Sequence, residues 1–68
     1  MPTTTYEITF FDLNGREDSC CQHTTAEDAW EAFRLFAEPD SAELYSRITL
    51  TAYDWATDTE TTLATLTF

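Results

Sequence analysis

The sequence predicts an α+β domain of order ββαββ, a four-stranded, largely antiparallel sheet with one helix packed on one face. Three observations predict it. Apolar residues alternate with period two over residues 5–13 and 45–55, they recur at spacings of three and four between Ala26 and Ala37, and turn-forming residues separate the strand-like runs in each half. A chain of 68 residues leaves room for one such unit, so residues 1–68 are read as a single small domain.

The first run, TYEITFFDL, sets Tyr6, Ile8 and Phe10 on one face and Glu7, Thr9 and Phe11 on the other. Asn14-Gly15 follows at once, a pair that favours a type I′ hairpin because both of its central residues take positive φ. The returning strand, residues 16–23, opens on Arg16, Glu17 and Asp18, charges that suit a sheet edge. A helix then starts at Thr24-Thr25 with Glu27 and Asp28 in its first turn, where the helix dipole favours negative charge. Its apolar stripe is Ala26, Ala29, Trp30, Phe33, Phe36 and Ala37, and Pro39 stops it, with one more short turn expected over residues 40–43. The run YSRITLTAYDW alternates again, with Ile48, Leu50 and Ala52 inward. After a polar link at 56–59, a threonine-rich last strand at 60–68 turns Ala64, Leu66 and Phe68 inward.

Charge narrows the function classes. Thirteen acidic residues face three arginines and no lysine, a formal net charge of -10. Direct binding to nucleic acid or an anionic membrane surface needs clustered cations, which this chain lacks. An apolar content of 43% and an aromatic content of 15% argue for a folded core and against disorder. Cys20 and Cys21 are neighbours that point to opposite faces of a strand, so they are expected to be free thiols, one packed inward and one near the surface; a vicinal disulfide is the alternative. No apolar leader or long apolar stretch is present, and a reducing cytoplasm is the expected compartment.

Two surfaces are candidates for function. Period-two geometry sends Phe11, Leu13, Tyr53, Trp55 and Leu63 to the sheet face away from the helix, either as an exposed contact patch or with some of them folded back over the core by a bulge near Phe10-Phe11 or by the ends of the hairpins. Glu27, Asp28, Glu31 and Glu38 line the outer helix face at about 5 to 6 Å spacing, close to that of successive phosphates, so the row either solvates the helix or stands in for a nucleic-acid backbone. Cys21 and His23 share a strand face but sit too far apart for a direct thiolate–imidazole pair, and no third orienting residue is identifiable. The only glycine, Gly15, belongs to the hairpin, which leaves no phosphate-cradling loop. No catalytic residue, cofactor or metal site is therefore expected.

In size, acid excess, missing lysines and the segments TTAEDAWEAFRLFAEPDS and YSRITLTAYDW, the chain resembles the small acidic proteins encoded by phages and other mobile elements, some of which inhibit CRISPR effectors or restriction enzymes. That resemblance implies a non-enzymatic inhibitor in the host cytoplasm whose acidic surface occupies the basic, nucleic-acid-binding groove of a defence protein. Glu27, Asp28, Glu31, Glu38, Phe11, Tyr53 and Trp55 are the expected contacts. The alternative is a structural or regulatory homo-oligomer, possible as a homodimer, packing through the exposed sheet face.

Overall fold

The computed structural model describes residues 3–37 and 43–68. The elements run β1 (Thr4–Asp12), β2 (Glu17–His23), α1 (Ala26–Leu35), β3 (Tyr45–Asp54) and β4 (Thr59–Thr67). The four strands form one sheet of order β2-β1-β3-β4 in which every neighbouring pair is antiparallel. Since β2 and β3 both run against β1, which lies between them, they run parallel to each other. α1 carries the chain from one to the other and lies over β1, β2 and β3.

One face of the sheet and one stripe of the helix make the core. Ile8 and Phe10 from β1, Ile48 and Leu50 from β3, and Ala29 and Phe33 from α1 are buried together, with Tyr6, Trp30, Tyr45, Ala64 and Leu66 packed against them. The two central strands supply the most deeply buried side chains because only they have a neighbour on each side and the helix above. At the C-terminal end of α1, Phe10 meets Phe36 edge to face at 4.7 Å and Tyr45 at 5.0 Å, closing that end of the core. Thr25 caps the other end, its Oγ1 accepting from the Asp28 N–H at 3.2 Å. Thr25→Ala is accordingly expected to cost about 1 kcal/mol, which lowers Tm by roughly 4–8 °C in a domain of this size; a thermal melt followed by circular dichroism measures it.

Several local expectations change. The first hairpin is not closed by a type I′ turn: Gly15 is at φ 81 while Asn14 is not in the positive-φ region. The Gly15 N–H bonds to the Asp12 carbonyl at 2.9 Å, the Asp12 N–H bonds to the Arg16 carbonyl at 2.8 Å, and Asp12 Oδ1 accepts from the N–H groups of Asn14 and Arg16. This is a three-residue loop ending on a left-handed glycine, selected by the Asp12 side chain holding the turn from inside.

The helix ends at Leu35, with Phe36 as its cap. Pro39 and residues 40–42 of the turn expected over 40–43 lie outside the described residues. Both cysteines are exposed, so neither packs inward. Cys21 pairs with Ile8 on the helix side and Cys20 with Thr9 on the open side, but β2 is an edge strand and both side chains stay exposed. Phe68, expected inward, is 42% exposed beyond the end of β4.

Three single-residue interruptions of register shape the sheet. Asp18 in β2, Ser46 in β3 and Leu63 in β4 are each skipped by the pairing. Ser46 uses its bulge to donate a 2.6 Å hydrogen bond from Oγ to the Asp12 carbonyl. Leu63 is thrown out of the alternation, which keeps Ala64 and Leu66 on the core side while Thr62 and Glu60 face the other way.

Candidate functional site: the open face of the sheet

The face opposite the helix is assembled from alternate residues of each strand. β1 contributes Thr5, Glu7, Thr9 and Phe11, and their cross-strand partners are Gln22, Cys20 and Glu17 in β2 and Tyr53, Thr51, Thr49 and Arg47 in β3. β4 adds Glu60, Thr62, Thr65 and Thr67. Residues paired directly across antiparallel strands share a face, which is why fifteen positions of alternating sequence become one surface. Threonines dominate its centre, and Thr9 and Thr51 are buried there between their neighbours.

The expected apolar patch of Phe11, Leu13, Tyr53, Trp55 and Leu63 is therefore not one surface. Leu13 sits in the first hairpin loop and Leu63 in the β4 bulge. Phe11 and Tyr53 lie at opposite ends of the open face, with Glu7, Thr9, Thr49 and Thr51 between them. At one end Phe11 is half-buried under the Arg47 guanidinium, 4.0 Å from its ring centroid, a cation–π contact that covers the ring. At the other end Tyr53 and Trp55 meet edge to face at 4.6 Å. Trp55 stands just past β3, fixed by its backbone N–H to the Thr3 carbonyl at 2.7 Å and by its indole Nε1–H to Thr5 Oγ1 at 3.0 Å. It remains 58% exposed although both of its donors are engaged.

Carboxylates surround these rings. A shallow depression of about 450 Å³ runs along the face and takes in Glu7, Glu17 and Glu60, with Arg47 at its Phe11 end. A smaller one of about 240 Å³ is walled by Tyr53 and Trp55 and has Glu7 and Glu60 on its rim and Thr51 and Gln22 among its lining residues. Glu7 is oriented by Thr9 Oγ1, which donates to Oε1 at 3.3 Å, and by Gln22 Nε2, which donates to Oε2 at 3.5 Å. Aromatic rings beside the oriented Glu7 carboxylate and Glu60 suit a cation, since the ring face and the carboxylate both attract positive charge.

The acidic helix row is separate. Glu27, Asp28 and Glu31 are exposed on α1, on the other side of the sheet from Tyr53 and Trp55. Glu38 lies outside the described residues. The sequence already sets the helix acids and the far-face aromatics on two different surfaces, and the structure likewise has them on opposite sides of the domain. Sequence reasoning missed Glu7, Glu60 and Arg47. The alternation of β1 already turned Glu7 away from Ile8, but only the pairing of β3 with β4 brings Glu60 beside Tyr53.

Ligand-type atoms of Glu7, Glu17 and Cys20 come within 4.8 Å of one another on the open face. The Glu7 carboxylate, followed by partial desolvation, Glu17 and Cys21, pushes the Cys20 thiol above its ordinary pKa, because nearby negative charge disfavours the thiolate. In a Cys21→Ser background, Cys20 should react with iodoacetamide at mildly alkaline pH more slowly than a model cysteine peptide, and Glu7→Gln should speed it; equal rates with and without Glu7 would contradict this electrostatic account.

No family model matches the chain, and no match to it is found among the curated proteins or the solved structures.

Proposed function

We propose that the protein is a non-enzymatic binding module that captures a cationic side chain of a partner protein in the depression formed by Tyr53, Trp55, Glu7 and Glu60. The observation that carries this reading is the exposed but hydrogen-bonded Trp55, packed on Tyr53 beside two carboxylates. An arginine guanidinium suits the place best, because it stacks on an aromatic face and pairs with a carboxylate through two parallel N–H donors. The wider charge has a different role. With a net charge of -10, and with Glu27, Asp28 and Glu31 open on the helix, the domain attracts a basic surface from a distance and raises the encounter rate, while the open face holds what arrives.

A partner with an arginine- and lysine-rich groove fits both parts. Proteins that bind nucleic acid possess such grooves, and the reading extends to an inhibitor of the anti-defence kind carried by phages and mobile elements. Stacking two copies through the open face is less favourable, since it would set Glu7, Glu17 and Glu60 against their own kind in a low-dielectric interface.

A titration with a short oligo-arginine peptide tests the site. Two double variants remove the same amount of charge from different places: Glu7→Gln with Glu60→Gln on the open face, and Glu27→Gln with Asp28→Asn on the helix. The first is expected to weaken binding about tenfold, equivalent to about 1.4 kcal/mol, and Trp55→Ala by more, since truncating a central aromatic anchor costs about 2 kcal/mol or above. The helix pair should have a much smaller effect. Equal losses from the two double variants, with Trp55→Ala neutral, would mean that only overall charge attracts the peptide and would remove the site.

A further inference from the structure

The two edges of the sheet are built differently. β2 is short and exposed, starts with Glu17 and Asp18, and is bent by the bulge at Asp18, all devices that discourage another strand from pairing with it. β4 shares only the bulge, at Leu63, and lacks the charges over its last part. It is nine residues long, with no proline and no lysine or arginine, and its single carboxylate, Glu60, stands near its start. From Thr61 to Phe68 the sequence TTLATLTF is uncharged, on a domain of net charge -10. α1 lies over β1, β2 and β3 and leaves β4 as the one strand it does not cover. Apolar side chains gather along this edge: Leu63 is 41% exposed and Phe68 42%, and Leu44, 64% exposed, precedes by two residues the Ser46 carbonyl that accepts from the Phe68 N–H.

We propose that two copies of this chain join through their β4 edges, antiparallel and about a two-fold axis, to make one continuous eight-stranded sheet. The outward backbone N–H and C=O groups of an edge strand are self-complementary in an antiparallel pair. A register with Thr65 on the axis sets Ala64 of one copy opposite Leu66 of the other on the helix side and overlaps residues 62–68 of both, with the Leu63 bulge of each copy opposite Thr67 toward the two ends of the pairing and the regular pairing centred on 64–66. That places Glu60 of each copy beyond the paired span, so no carboxylate meets another across the junction. The core layer then runs through Ala64 and Leu66 of both copies. Because the β2 edge is blunted, pairing ends at two copies and does not grow into a fibre. A single strand pair buries little surface, so the dimer is weak.

Two domains of like charge repel, so this association strengthens as salt rises, the opposite of the salt response expected for a cationic ligand on the open face; failure of one is therefore distinguishable from failure of the other. Sedimentation velocity of the full chain, from about 10 µM to about 1 mM at low ionic strength and at about 0.3 M sodium chloride, is the test. The expected result is a monomer–dimer equilibrium shifted toward dimer by concentration and by salt. Thr65→Glu, which puts two carboxylates face to face on the axis, should weaken the dimer about tenfold or more. Thr57→Glu, in the β3–β4 loop and with the same net charge, should leave it unchanged, each variant being shown by circular dichroism to be folded. A monomer at the highest concentration and salt, equal weakening by Thr57→Glu and Thr65→Glu, or growth to species larger than a dimer would overturn the proposal.

Discussion

Leu50→Ala is expected to leave most of the protein unfolded at physiological temperature. Leu50 is fully buried at the centre of the sheet, paired with Ile8 on β1 and Ala64 on β4, with the helix above. Removing a buried leucine side chain costs about 2–5 kcal/mol, a sum of lost transfer free energy and the cavity left behind. A domain of this length has a total stability of roughly 3–10 kcal/mol, and no disulfide staples it, since both cysteines are free. The loss is thus comparable to the whole. Urea denaturation supplies the measurement, with Leu35→Ala as its control because Leu35 is 68% exposed and should change stability by less than about 0.5 kcal/mol. Similar midpoints for the two variants would show that the core is not centred where the structure puts it.

Salt should produce the second large effect. The radius of gyration is 12.1 Å, whereas electrostatic screening extends about 30 Å at 0.01 M ionic strength and about 3 Å at 1 M. At low salt every carboxylate therefore feels most of the others across the whole molecule, and with a net charge of -10 the folded state is held together against its own repulsion. Unfolding spreads those charges apart, so screening favours the folded state. Raising sodium chloride across that range is expected to add about 1–2 kcal/mol, an increase in Tm of roughly 4–8 °C for each kcal/mol. A Tm that stays constant or falls with salt would mean that local ion pairs outweigh the general repulsion.

The proposed site and the proposed dimer respond to salt in opposite directions, which links these two physical properties of the chain. A high negative charge draws cationic partners and repels a second copy, so dilute protein at low salt is the state most disposed to bind a partner. The uncharged β4 edge is the one place along the sheet where that repulsion is locally absent.

Much of the fold could be read from residue spacing. The alternation around Ile8 and Leu50 and the three–four spacing of Ala29 and Phe33 are local properties, since the side-chain direction of each residue follows from its own backbone geometry. The same alternation turned Glu7 and Tyr53 to the open face. The turn chemistry was legible only in part: Asn14-Gly15 marked the hairpin, but the Asp12 carboxylate, bonding to the N–H groups of Asn14 and Arg16, decided its type. An irregularity near Phe10-Phe11 was among the sequence expectations, and the β1–β2 register does shift there, but the Leu63 bulge was not legible, because whether Leu63 is skipped depends on how β4 meets β3 and on Ala64 and Leu66 reaching a core that other elements build.

By itself, then, the sequence determined the identity of the strands and helix, the central residues that β1, α1 and β3 turn inward, and the acidic character of the whole. Only the tertiary structure decided that Tyr53 and Trp55 stand beside Glu7 and Glu60, and that Phe11 is covered by Arg47 at the far end. The physical reason is that strand order and register are non-local: they are fixed by burying one face of four strands against one helix, a sum over the whole chain that no single segment's pattern contains.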